Sequence, residues 1–221
     1  MKKTWLLFAT ITMAISILAA CNSNEGSNGT EGETNSQVET DETVTEEVAG
    51  ENSEERPVTE ERSEEKILNY TVSGEAKEES STLTKSDEQN YSLYKLDGFS
   101  LTGEEPNKDS LYFDDNSAVF MRVETISKDE ASYEIIANNM LETIAAVSVG
   151  KEPVKIDETA KLPQGEGITN PVGYEASFEL GTVSGIVFEQ GNLIVRLTIF
   201  DQNSVNLTDA FLKMGETIAA N

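Results

Sequence analysis

Tyr174 to Phe200, YEASFELGTVSGIVFEQGNLIVRLTIF, is the stretch on which the fold turns. Tyr174, Ala176, Phe178 and Leu180 alternate with Glu175, Ser177 and Glu179, the pattern of a strand with one buried and one wet face. Gly181 interrupts it, Thr182 to Glu189 resumes it, Gln190-Gly191-Asn192 interrupts it again, and Leu193 to Phe200 completes an antiparallel meander. Downstream the period changes. Leu207, Phe211, Met214 and Ile218 recur at steps of four, three and four, which predicts a helix capped by Ser204 or Asn206.

Upstream, Pro153 to Ile156 is a short candidate strand and Leu162 to Pro171 a Gly/Pro loop. A helix is expected before them, because Tyr133, Ile136, Ala137, Met140, Leu141 and Ile144 share one helical face. Ser127 with Glu130 reads as its capping box, and Gly150 follows its last turn, at about Val147. Two hairpins precede the helix. Asp97-Gly98 joins Ser92–Leu96 to Phe99–Leu101, and Asp114-Asp115-Asn116 joins Leu111–Phe113 to Ala118–Ile126. Lys66 to Gly74 looks strand-like, but Glu75 to Asn90 is polar, which places the compact core at about 91–221 of a folded domain at 66–221. The expected class is α+β: an antiparallel sheet with two main helices packed on it.

The run Leu96-Asp97-Gly98-Phe99-Ser100-Leu101, then DSLYFDDNSAVFMRVE from Asp109 to Glu124, the helix, GNLIVRLTIF at Gly191 to Phe200 and a last helix resembles the PsbP-like fold. The resemblance is one of element order over about Tyr91 to Asn221. It implies a small antiparallel sheet carrying helices, a fold found in bacterial lipoproteins, and it transfers no site residue.

The chain begins with a different signal. Lys2 and Lys3 precede an almost unbroken apolar run from Trp5 to Ala20, the form of a secretory signal peptide over residues 1–20. It ends in Leu18-Ala19-Ala20-Cys21, which resembles the lipobox of bacterial lipoproteins. That resemblance implies diacylglycerol on the Cys21 thiol, cleavage just before it, and a membrane anchor at the extracytoplasmic face. Residues 21–65 then form an acidic linker. Asn22 to Glu65 holds fifteen acidic residues against Arg56 and Arg62, with no aromatic residue, a composition expected to stay disordered. The Glu/Thr/Ser/Asn spacer favours a Gram-positive type of anchor.

Charge and missing residue types narrow the function. The 221 residues carry 16 Lys and Arg against 41 Asp and Glu, a formal net charge of −25, with no His and one Cys. Such a chain repels phosphate backbones, so no nucleic-acid partner is expected. Without His or a second Cys, Cys/His zinc sites and His-dependent catalysis are out of reach. Ser92 and Lys95 fit S-x-x-K, yet that chemistry needs a helical turn and the alternation here is strand-like. Asp109, Asp114 and Asp115, with Asn116, flank one hairpin and are candidate oxygen ligands for Ca²⁺, although turn chemistry is the favoured account of them. Arg122 and Arg196 are expected to pair with strand carboxylates such as Glu124 or Glu175. The resulting expectation is a membrane-anchored lipoprotein that is not an enzyme and needs no cofactor. It would act as an accessory or interaction module toward a protein or envelope partner. A small-ligand or cation-binding lipoprotein is the alternative; a concave polar pocket would favour it, and an exposed apolar patch the first.

Overall fold

The computed structural model describes residues 62–148 and 151–221. The expected signal peptide, the lipobox-like Leu18 to Cys21, and the expected linker up to Glu61 lie outside the described residues. In chain order the described elements begin with β1 (Glu65–Val72), β2 (Glu75–Lys85), β3 (Tyr91–Leu96), β4 (Phe99–Glu105), β5 (Lys108–Phe113) and β6 (Asn116–Ser127). After α1 (Tyr133–Val147) come β7 (Val154–Lys155), β8 (Ile168–Ser177), β9 (Gly181–Gln190) and β10 (Leu193–Gln202), then α2 (Thr208–Gly215) and β11 (Ala219–Ala220). They form two antiparallel sheets. The smaller has the order β1-β2-β3-β11, and the larger β4-β5-β6-β10-β9-β8-β7.

This β-rich, sandwich-like architecture corrects the expected α+β fold and the PsbP-like arrangement of helices packed on one sheet. The main core lies between sheets. Leu68, Tyr70, Tyr91 and Leu93 of the small sheet share one buried cluster with Leu111, Met121, Val123, Phe188 and Leu197 of the large one. β1 falls where Lys66 to Gly74 looks strand-like, but its partner β2 is illegible. β2 (EAKEESSTLTK) buries only Ser81, so it shows no apolar alternation, and it is held instead by an unbroken ladder of eight pairs with β1. The chain is therefore folded from about Arg62, well before Tyr91.

The last helix also plays another part. α2 is eight residues long and buries Ala210, Phe211, Leu212, Met214 and Gly215, touching β1 and β3 on one side and β6 and β10 on the other. It is a plug between sheets, with Phe211 edge-on to Phe99 at 5.2 Å between ring centroids. Neither Ser204 nor Asn206 caps it. Asp201 does so from the end of β10, its Oδ2 accepting from Thr208 N at 2.8 Å and from Thr208 Oγ1 at 2.7 Å.

Only α1 lies on a sheet surface, over β8, β9 and β10. Its Met140 and Ile144 meet Ala176, Val183, Val187 and Ile194 in a second, smaller cluster. The helix starts at Tyr133, because Ser127 to Glu130 forms a turn closed by Glu130 N–H to Ser127 C=O at 2.9 Å. With β9 covered on both faces, Gly181 to Phe188 is almost wholly buried, which is why GTVSGIVF reads as a continuous run. Gly185 sits directly under α1. A Cβ there would stand 2.6 Å from Ile144 Cγ1 and nearer still to Met140 Sδ.

Polar side chains tie the small sheet to the large one and brace the large sheet internally. Buried Tyr91 donates to Asp109 Oδ2 at 2.7 Å. Gln89 donates to Val123 C=O and accepts from Thr125 N–H, extending the β6 ladder with a side chain. Arg196 lies opposite Glu124 in the β10–β6 register, 3.6 Å away, and donates to Thr143 of α1 at 2.7 Å. Arg122 approaches Glu104 at 4.0 Å.

Candidate functional site

Opposed sheets leave an opening where their edges do not pair. β1 ends the small sheet and β7 ends the large one. Between them lies a groove of about 800 Å³. Its walls are Asn69 to Thr71 and Ala76-Lys77 of the β1–β2 hairpin, Ile156 to Lys161 after β7, Ser184 and Ile186 of β9, and Asp209, Leu212 and Lys213 of α2. A second hollow of about 620 Å³ shares Asn69, Gln164 and Lys213 with it and continues past Lys66, Glu166 and Glu216. The volume is that of a small-ligand site.

Local structure sets the polar groups. Asp209, in the first turn of α2, reaches across to β1 and accepts from Thr71 N at 2.6 Å and Thr71 Oγ1 at 2.8 Å. Glu216 accepts from Lys213 at 2.8 Å and from Gln164 N–H at 3.0 Å, so one carboxylate ties the loop after β7 to the end of α2. Lys161 donates to Glu158 at 3.0 Å, and that hydrogen bond raises the lysine pKa. Burial, helped by the neighbouring Glu79 carboxylate, pushes Tyr70 up to about 12. Lys77, Lys161 and Lys213 thus face Glu158, Glu175 and Asp209 in a groove whose charges balance, inside a domain with a large acidic excess.

The sequence-predicted ligands do not converge. Asp109 is buried at the start of β5, whereas Asp114 and Asp115 are exposed in the turn beyond its other end. Five residues of strand put them on the order of 15 Å apart, too far to share one ion. Among the described residues no group of three or more Asp, Glu, His or Cys is placed to hold a metal ion. Ser92 accepts from Arg62, and Lys95 donates to Phe99 C=O at 2.7 Å; both serve the fold. Cys21 lies outside the described residues.

Arg62 was counted with the acidic linker and belongs to the folded part. Its guanidinium donates to Ser92 C=O at 3.0 Å and Thr217 C=O at 2.6 Å, and lies 4.6 Å from the Tyr94 ring centroid. The groove itself was missed because its lining comes from six separate segments. One signal was available: lysine at 77, 161 and 213 is scarce charge in an acidic chain.

Comparison with known proteins agrees with that starting point. Residues 62–167 match a family described as a domain of unknown function (DUF8580), a span just under half of the chain. No curated protein matches the sequence. A crystal structure of a protein from Bacteroides thetaiotaomicron VPI-5482, at 1.50 Å resolution, is similar at 15% identity with a TM-score of 0.37. The alignment covers 63% of this chain and 48% of that one, so this chain spans about half the length of that structure.

Proposed function

We propose that this chain is a lipid-anchored extracytoplasmic lipoprotein, without catalytic activity, that binds its partner or ligand in the groove between the two sheet edges. The groove carries the reading: it is concave, polar at its rim and apolar at Ile156, Ile186 and Leu212 on its floor. Leu18-Ala19-Ala20-Cys21 supports the anchor. Among the described residues no helix is long and apolar enough to cross a membrane. Two acyl chains on Cys21 would hold the protein stably, where one would not. Two of the three groove carboxylates are already engaged, Asp209 by Thr71 and Glu158 by Lys161, which favours binding over turnover.

Photo-crosslinking in the producing cells tests the groove. A benzophenone amino acid at Lys77 or Gln164 should give a discrete adduct, whereas the same group at exposed Glu130 should give none. Identical adduct patterns from all three positions would contradict the reading. Cys21→Ala should abolish incorporation of labelled palmitate; retained label would remove the anchor.

A further inference from the structure

We infer that β1 takes up an extended segment of a partner polypeptide along its free edge, adding a fifth strand to the small sheet. The inference rests on the groove reading and names what the groove holds. Leu83 N–H donates to Glu64 C=O, which fixes the parity of the β1–β2 ladder. Even-numbered residues of β1 bond to β2. Odd-numbered ones, Ile67, Asn69 and Thr71, turn their N–H and C=O groups away from it. Thr71 N–H obeys this rule by donating to Asp209 beyond the sheet. Ile67 and Asn69 find no such partner among the described residues, and both line the hollow.

The other three terminal strands of the sheets are each protected in one of the ways that proteins use against unwanted pairing. β7 and β11 have two residues each, and β4 carries an irregularity between Gly103 and Glu105 with two glutamates beside it. β1 has eight residues, no bulge and no proline, and its Ile67 is 53% exposed. It is the long open edge of the molecule's described part.

The occupant follows from chemistry. Outward donors and acceptors repeating every second residue, about 6.7 Å apart, match the backbone of another extended chain. Arg62, Lys66 and Lys213 stand with Glu166 and Glu216 at this hollow; Lys213 is paired with Glu216, and Lys66 has no carboxylate partner among the described residues, so a neutral or acidic segment fits beside it. A second copy is opposed by the mutual repulsion of two chains of net charge −25.

The test uses the full chain purified from membranes in detergent, with linear peptides selected against it from a random dodecapeptide library. A selected peptide should slow hydrogen exchange at the Ile67 and Asn69 amides at least tenfold. N-methylation of alternate peptide amides should weaken binding at least tenfold in one parity and little in the other. Ile67→Pro removes an outward donor without touching the β1–β2 ladder, and should weaken binding at least tenfold with little change in melting temperature. Peptide binding that shields Lys77 and Lys161 but leaves the Ile67 and Asn69 amides unchanged would overturn strand addition and spare the groove. Failure to select any peptide, or protection of these amides that grows with protein concentration alone, would overturn it too, the latter in favour of a second copy.

Discussion

The Tyr91 hydroxyl donates to Asp109 Oδ2 at 2.7 Å, and the two residues stand on different sheets. Asp109 Oδ1 has no partner, so the tyrosine is the one hydrogen-bond donor to this buried carboxyl side chain among the described residues. Tyr91→Phe should therefore cost about 1–3 kcal/mol, the penalty for stranding a buried polar group. Urea denaturation measures it, and a loss below about 0.3 kcal/mol would show that the pair contributes nothing to joining the sheets.

Tyrosine ionisation should make the domain unstable in alkali. Burial raises Tyr91 well above its ordinary range, with the Asp109 hydrogen bond adding to it, and burial raises Tyr70 and Tyr133 to about 12. Above pH 10 the unfolded chain has released protons that the folded chain still holds, so stability falls as pH rises. The stabilisation is fully present below pH 10 and is lost through about pH 12. Denaturation midpoints at pH 8, 10 and 11.5 should be flat and then fall, and Tyr91→Phe should flatten the fall. A midpoint independent of pH up to 11.5 would refute this.

Gly185→Ala should destabilise by about 1–3 kcal/mol, because the added methyl runs into Met140 and Ile144 of α1. Combining it with Met140→Ala should cost less than the sum of the two single changes, since the same space is freed. Strict additivity would mean that α1 does not lie on β9 as described.

A fragment starting at Arg62 should fold, and one starting at Tyr91 should not. The shorter piece lacks β1 and β2 and uncovers Tyr94 and Leu96 on the small sheet. Circular dichroism and thermal melts distinguish them. A cooperative melt from the Tyr91 fragment would restore the boundary that composition suggests.

Legibility followed apolar alternation. β9 and β10 could be read because Val195, Leu197 and Ile199 repeat at period two, and the Met140/Ile144 face of α1 at its own period. β8 could be read only in part, since it starts at Ile168 inside the expected loop and ends at Ser177, leaving Phe178 and Leu180 exposed instead of on its buried face. β2 could not, since a strand with two wet sides carries Glu and Ser where a reader seeks Val. α2 was read as a helix, but its spacing says nothing of whether it covers a sheet or plugs a gap; only burial on nearly all sides decides that. Asp109 looked like its neighbours Asp114 and Asp115, but it lies within β5, buried with Ser110 and Leu111, and they lie in the exposed turn after that strand. The groove joins residues as far apart as Tyr70 and Lys213, a proximity that no local pattern encodes.

The reading of the chain as an anchored outer-face protein with an occupied groove is tested most directly by thiol labelling on intact cells. Cys21 is the sole cysteine of the sequence, so single cysteines placed at Gln164 in the groove and at Glu130 outside it report separately. With a membrane-impermeant maleimide, the Glu130 variant should label on cells as fast as after purification. The Gln164 variant should label at least fivefold more slowly on cells than after purification. Equal rates at both positions would contradict the occupied groove, and an unlabelled Glu130 variant on intact cells would contradict the location.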